Sequence, residues 1–248
     1  MSKARLDLEL VNRGLLPSRA RARDAVQRGG VSVNGTTAGK ASMTIQQDDR
    51  IELNDPASQY VSRAALKLKR GLEYFDFSPS GSNCVDVGVS TGGFTQVLLE
   101  EGASAVFAFD VGHGQLHPSI SDNPRVVSRE GLNARDLTRE DLPFPVSFLV
   151  SDVSFISLTL ALPAVLSLAE PGSPGIFLIK PQFEVGKGQL GKGGIVNDPE
   201  LALASAHKIV DWLQTTAKCS VIGLTRSPIS GGDGNQEFLI GIRTPKKG

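Results

Sequence analysis

Cysteine is scarce: the 248 residues hold two, Cys84 and Cys219, both inside apolar, strand-like runs. That excludes a disulfide scaffold, and the wide separation excludes a zinc knuckle. Both are expected to be buried thiols. Three histidines, His113, His117 and His207, follow no metal-ligand spacing, so no metal site is expected. No apolar run approaches the ~20 residues of a membrane span. The opening residues, Met1-Ser2-Lys3-Ala4-Arg5-Leu6-Asp7, turn charged at once and lack the apolar core of a signal peptide. The expectation is a cytoplasmic protein that spans no membrane. Net charge is absent too, with 26 basic and 26 acidic residues, so the bulk excess of positive charge typical of a nucleic-acid binder is missing.

The distribution of charge says something different. Residues 1–30 carry seven bases and three acids, a net +4, and the remaining chain balances at −4. Leu6, Leu8, Leu10, Val11, Leu15 and Leu16 are the apolar positions of a first helix ending near Gly14. Ser18 suits the N-cap of a second, 19–28, with Ala22, Ala25 and Val26 on its inner face and Gly29-Gly30 after its end. Val31-Ser32-Val33-Asn34-Gly35 reads as a strand entering an Asn-Gly turn, and residues 48–53 as a closing strand. Arg19 and Arg23 share one helix face; Arg21 and Arg28 share another. Cations in a first helical turn oppose the helix macrodipole, so Arg19 and Arg21 point to an external anion such as RNA phosphate, or else to a solvated charged face. The elements Arg5-Leu6-Asp7, Ser18-Arg19-Ala20-Arg21-Ala22 and Gly29-Gly30-Val31-Ser32-Val33-Asn34-Gly35 resemble the S4 RNA-binding domain over about residues 3–55. That resemblance implies that Arg5, Ser18, Arg19 and Arg23 face structured RNA. The polar turn Asp55-Pro56-Ala57-Ser58 marks the expected boundary, giving domains 1–57 and 58–248.

Beyond it, strand-like runs at 83–88, 105–110, 125–128, 147–151, 175–180, 219–226 and 236–242 alternate with helical patterns at 61–75, 92–101, 155–169 and 199–217. Alternation of this kind predicts an α/β fold with a mostly parallel, seven-stranded, doubly wound sheet, preceded by a small α+β domain. Ligands in such sheets bind at the carboxyl ends of the strands. Cys84-Val85-Asp86-Val87-Gly88-Val89-Ser90-Thr91-Gly92-Gly93 is a strand, a glycine-rich turn and a helix start, suited to close approach of a ligand to backbone N–H groups. Asp110 ends the next strand, 22 residues after Gly88, where a carboxylate can accept both ribose hydroxyls of an adenosine cofactor. A dinucleotide is one candidate. The spacing Gly88-x-x-x-Gly92-Gly93 and the presence of Asp86, read as lying in the turn where it would repel a pyrophosphate and hold an amino group, favour S-adenosylmethionine.

Four charged residues stand at or near the limits of apolar runs: Asp152 at the end of 147–151, Lys180 closing 175–180, Glu237 opening the last strand, and Lys67 in the helix after the linker. Singly, each is compatible with an ordinary ion pair. Together with the stretches 60–68, 84–99, 109–117, 151–158, 178–196 and 227–239, they make the chain similar to the TlyA family, also called haemolysin A, of S4-plus-FtsJ-like ribosomal RNA 2′-O-methyltransferases. The resemblance implies a Lys-Asp-Lys-Glu catalytic tetrad at Lys67, Asp152, Lys180 and Glu237. It also implies cofactor contacts at Asp86, Gly88, Ser90, Gly92, Phe94, Asp110, Asn133 and Asp152. The sequence departs from the family pattern at Gln96, Ala64 and Leu66, none of them in the tetrad.

Ribose methylation suits such a set. A 2′-hydroxyl is a weak nucleophile, so the enzyme must align oxygen, methyl carbon and sulfur and take up one proton. A lysine does so only as the neutral amine, under about 0.1% of the population at pH 7 for an ordinary lysine. The expected roles are Lys180 as base or hydroxyl-orienting group, Glu237 and Lys67 positioning it and the ribose, and Asp152 beside the methyl donor. The glycine- and lysine-rich segment 184–194 suits a mobile RNA-contacting loop or a plain flexible one. The expected partner is ribosomal RNA within ribosomal subunits, with cytidine of 16S and/or 23S RNA as target and no stable protein partner. A non-catalytic ribosome-associated factor and a membrane-active haemolysin are the competing classes.

Overall fold

The computed structural model describes residues 3–246. The chain separates into two compact units, the first running through Arg63 and the second starting at Ala64. The expected boundary was 57/58. Arg21 donates to the carbonyls of Ala57 and Tyr60, and Arg63 pairs with Asp24 at 3.6 Å, so the chain just past the polar turn is held to the first unit.

The first unit consists of β1 (Lys3–Arg5), α1 (Leu6–Asn12), α2 (Arg19–Gln27), β2 (Val31–Val33), β3 (Thr36–Thr37), β4 (Thr44–Gln46) and β5 (Ile51–Leu53). Ser18 caps α2 by accepting from Arg21 N. Asn34 and Gly35 both take positive φ, 52° and 80°, and close the β2–β3 hairpin, as their side chains favour. β5 pairs with the other edge of β2, and β1 pairs with β4. Leu6, Leu10, Ala22, Val26, Val31 and Ile45 form the core.

The second unit contains α3 (Ala65–Phe75), β6 (Asn83–Val87), α4 (Gly93–Glu100), β7 (Ala105–Asp110), α5 (Pro118–Ser121), β8 (Val126–Glu130), β9 (Phe148–Ser151), α6 (Leu158–Ala161), α7 (Pro163–Leu168), β10 (Pro174–Ile179), α8 (Pro181–Glu184), α9 (Pro199–Thr215), β11 (Ser220–Arg226) and β12 (Phe238–Arg243). The sheet order is β11-β12-β10-β9-β6-β7-β8, and β12 alone runs against the other six. Alternate residues of the central strands serve opposite faces. Phe177, Ile179, Ile240 and Ile242 join α9 through Ile209 and Leu213; Ile176 and Leu239 lie against α3 at Gly71. Burial on both faces explains the near-continuous apolar runs.

Two expectations are corrected. The helix expected over 155–169 is two short helices: it begins only at Leu158 because Phe155 takes positive φ, 66°, and it breaks at Pro163, which has no N–H to donate. The helix expected from 61 begins at Ala65.

The topology decides what meets at one end of the sheet. β6, β7, β9 and β10 are parallel, so Gly88, Asp110, Asp152 and Lys180 all emerge at their carboxyl ends. β12 runs the other way with Ile179 opposite Phe238, which brings Glu237, at its start, beside Lys180 at the end of β10.

Candidate active site

A cleft of about 500 Å³ opens over β6, β7 and β9 and is lined by Gly88, Ser90, Asp110, Gly112, Asn133, Asp152 and the segment 153–156, among others. Gly88 has φ of 85°, and a Cβ on it would stand 3.0–3.1 Å from Val153 and the Asp152 carbonyl, so any side chain would press on the wall where β6 and β9 part. Asp110 is held by two backbone donors, Ser90 N to Oδ2 and Gly112 N to Oδ1, each at 2.9 Å. Each oxygen keeps a further lone pair for a ligand. Asn133 accepts from Arg135 N at the start of a short 3-10 turn and forms part of the wall.

Five of the eight expected cofactor residues line this cleft: Gly88, Ser90, Asp110, Asn133 and Asp152. The other three, Asp86, Gly92 and Phe94, do not. Asp86 is corrected in position. It lies within β6, not in the turn, and is fully buried, accepting from Thr95 Oγ1 at 2.7 Å. Burial pushes its carboxyl up to about 7. A carboxyl sealed behind the turn neither repels a pyrophosphate nor grips an amino group, so that part of the case against a dinucleotide falls and the glycine spacing carries it. Gly92 starts α4 with φ of 98° and packs on Leu116 and Ile120; Phe94 is buried. Both build the turn from behind. Val111, Gln115 and Phe155, which also line the cleft, were not anticipated.

Lys67, Asp152, Lys180 and Glu237 converge. Lys67 Nζ lies 2.6 Å from Glu237 Oε2 and 3.8 Å from Asp152 Oδ2. Lys180 Nζ lies 2.6 Å from Asp152 Oδ1 and donates to Ser154 Oγ at 2.7 Å. The order Glu237–Lys67–Asp152–Lys180 alternates in sign, so two cations and two anions share a confined space with no net charge. Burial nonetheless raises the Glu237 carboxyl above its ordinary range, against the opposing pull of Lys67. Lys67 and Glu237 are among the buried charged residues, and charges are retained in such places only when paired.

Asp152 belongs to the large cleft; Lys180 and Glu237 line a second one of about 310 Å³ together with Gln182, Phe183, Leu190 and Asp233. Ser154 and Phe155 border both. Phe155 is 90% exposed on a left-handed backbone, and its ring lies 5.2 Å from that of Phe183. A bulky residue in that conformation is strained, and such strain gathers at ligand sites. The sequence did carry a signal: each ring stands three residues after a tetrad member, Asp152 or Lys180. Glu184 ties the two segments together, accepting from Ser157 Oγ at 2.6 Å and Leu158 N at 2.9 Å. The glycine-rich segment is held at one end, where Asn235 accepts from Val196 N and donates to Gly194 O.

In the first unit the arginines are partnered internally, which corrects the inference that Arg19 and Arg21 need an external anion. Arg5, Arg19 and Arg23 contact the fully buried Asp7 at 2.9, 3.0 and 3.3 Å. The Arg5 bond, with Arg19 and Arg23 adding to it, holds the Asp7 carboxyl far below its usual range. The three arginine side chains stay 44–57% exposed, and one carboxylate leaves two positive charges uncompensated. Arg28 pairs with Asp55 at 2.6 Å. Ser18 is engaged as the cap of α2.

Comparison with known proteins adds kinship to this geometry. Residues 60–244 match the FtsJ-like methyltransferase model, and residues 4–51 the S4 domain model. The chain is 43% identical over 243 residues to a 16S/23S rRNA (cytidine-2′-O)-methyltransferase TlyA of Mycobacterium tuberculosis, covering 98% of this chain and 90% of that one. It is 40% identical to Hemolysin A of Brachyspira hyodysenteriae, covering 95% and 98%. A solved structure from Streptococcus thermophilus, described as a hemolysin, superposes with a TM-score of 0.77 at 37% identity, covering 99% of this chain and 90% of that one. The chain belongs to the FtsJ-like methyltransferase family, in its S4-bearing TlyA branch.

Proposed function

We propose that this protein methylates a ribose 2′-oxygen of ribosomal RNA with S-adenosylmethionine as donor, acting in the cytoplasm on a cytidine of 16S and/or 23S RNA within the ribosomal subunits. The observation that carries the reading is the chain Glu237–Lys67–Asp152–Lys180 standing where the two clefts meet. A structural ion-pair network has no need of two clefts along it, and a non-catalytic RNA-binding factor leaves it unexplained. The relatives named as cytidine 2′-O-methyltransferases support the choice of target atom and base. The name Hemolysin A belongs to a relative; among the described residues no helix is long and apolar enough to cross a membrane.

The large cleft fits the cofactor. Asp110, with both oxygens oriented by backbone N–H groups, suits two ribose hydroxyls; Asn133 suits the adenine; Gly88 and Ser90 let backbone pass close to the amino-acid end. S-adenosylmethionine, when bound, supplies a methyl group already activated by a sulfonium. The remaining task is alignment and one proton. Asp152 reaches the large cleft and holds Lys180, which lines the smaller one. Lys180 receives the 2′-hydroxyl and, as the neutral amine, takes its proton. Lys67 secures Glu237 through Oε2, and the pair positions the ribose beside Lys180. Phe155 and Phe183 offer an apolar wall against the nucleoside. The Arg5, Arg19 and Arg23 cluster contributes phosphate contacts.

The test is transfer of labelled methyl from S-adenosylmethionine to unmodified 30S and 50S subunits, followed by mass mapping of the modified nucleoside. Lys180→Ala is expected to lower turnover by about a hundredfold or more while cofactor and RNA still bind. Wild-type turnover in that variant would remove Lys180 from the mechanism.

A further inference from the structure

Asp233 is an exposed carboxylate in the wall of the smaller cleft, beside Lys180, Gln182 and Glu237. It is fixed in place: Asn235 N donates to its Oδ1 at 3.1 Å and Gln182 Nε2 to its Oδ2 at 3.3 Å. A carboxylate only accepts, which decides how the Gln182 amide is turned. Gln182 itself is 8% exposed, and among the described residues its Oε1 has no hydrogen-bond partner. A buried amide is thus committed to holding one carboxylate, and among the described residues no lysine or arginine forms an ion pair with it. In a cleft that receives a polyanion, an uncompensated negative charge weakens binding unless it accepts a hydrogen bond from the ligand.

Gly231 supplies an independent observation. Its φ is not positive, so its backbone does not require glycine. A Cβ there would stand 2.8 Å from Asp233 Oδ1 and 2.9 Å from Glu237 Oε1. The two oxygens therefore lie on the same side of Gly231, close to one another. Glu237 Oε1 is also the oxygen left over when Lys67 takes Oε2. Two acceptors thus stand near one another in the wall of the smaller cleft, which calls for donors on the ligand.

We propose that Asp233 accepts a hydrogen bond from the exocyclic amino group of the target base and so makes the site prefer cytidine to uridine. This rests on the ribose-methylation reading above. A cytidine inside an RNA strand brings two donor groups, the 2′-hydroxyl and the N4 amino group, because its 3′ and 5′ oxygens are esterified. Lys180 faces the first, and Asp233 faces the second. Carboxylates pair with the cytosine amino group in this way. Uridine would turn its O4, an acceptor, toward the carboxylate, and two lone-pair-bearing oxygens would meet.

The full-length protein is first given unmodified subunits and the methylated nucleoside identified. Absence of 2′-O-methylcytidine from the wild-type reaction overturns the parent reading and this one with it. With the position mapped, kcat/KM is measured on subunits carrying C or U there. Wild type is expected to favour C by about tenfold or more. In Asp233→Asn, whose amide can also donate to O4, the preference should shrink to within about threefold, chiefly through loss on C. Gln182→Leu releases the carboxylate without changing its charge and should narrow the ratio in the same direction. Affinity for S-adenosylmethionine, whose cleft Asp233 does not line, identifies which variants are folded. An unchanged C-to-U ratio in the variants that bind cofactor overturns the role of Asp233 and leaves methyl transfer standing.

Discussion

Asp86 shows how much a single side chain can conceal. Its carboxyl is fully buried, and burial, with Asp152 and Asp110 adding to it, lifts its titration to about 7 against the favourable Thr95 bond. In the unfolded chain the same group titrates near ~3.9. Between those values the folded protein holds a proton that the unfolded chain has released. The resulting stabilisation is complete below about pH 4 and is lost as pH rises through about 7. Asp86→Asn keeps an acceptor for Thr95 and has no charge to bury. Its urea midpoint should therefore exceed that of wild type by more at pH 8 than at pH 5; an equal difference at the two pH values would show that Asp86 titrates normally. Asp86 lies inside the strand expected over 83–88 as well as the observed one; assigning it to the turn rested on its standing two residues before Gly88, where alternation along a strand decides which way a side chain faces. Lys180 and Glu237 were legible: a charge bounding an apolar run of five or six residues is hard to explain by solvation. Phe155 was missed because apolar residues are expected inside, and its place three residues after Asp152 does not by itself mark a ring that stays outside.

At the scale of elements, α3 matters beyond its packing because its first turn carries Lys67. Two glycines seat it on the sheet. A Cβ on Gly71 would come within 2.9 Å of Ile176 Cγ2, and one on Gly241 within 2.6–2.9 Å of the Phe75 ring. Neither position has positive φ, so it is close approach and not backbone conformation that demands glycine. Gly241→Ala should cost about 1–3 kcal/mol through overpacking. It should also lower kcat more than it raises KM, since moving α3 draws Lys67 away from Glu237. Denaturant unfolding and steady-state kinetics on the same variant check both parts, and an unaltered stability would mean that Phe75 simply turns aside. Periodicity disclosed the long elements well, α3, α4, α9 and all seven strands of the large sheet. It merged α6 with α7, because an apolar period continues across Pro163 although the hydrogen bonds cannot. It passed over β1 and β4, three residues each, whose pairing across some forty residues of chain leaves no local pattern.

For the whole molecule, a net charge of zero hides a basic N-terminal unit. Around Asp7 three arginines meet one carboxylate, so the cluster is both an internal tie and an external positive patch. The double variant Arg19→Ala/Arg23→Ala leaves Arg5 to pair with Asp7. It should weaken binding to ribosomal subunits and flatten the plot of log K against log salt by up to about two contacts' worth of slope, with S-adenosylmethionine affinity unaltered. An unchanged slope would assign these arginines to folding alone. What the sequence determined by itself was the list of parts: an S4-like segment, an alternating α/β segment, a glycine turn, and charged residues at the limits of buried runs. Each is a local property, set by hydrophobic period, turn chemistry and the cost of leaving charge next to apolar surface. What only the tertiary structure decided was adjacency. Lys67, Asp152, Lys180 and Glu237 are separated by 85, 28 and 57 residues, and no local rule joins them. They meet because β9 and β10 release their ends on one side, the reversed strand β12 starts there, and α3, packed on β10 and β12, carries Lys67 to them. The same reversal brings Asp233, four residues before Glu237, against Gln182 just past the end of β10.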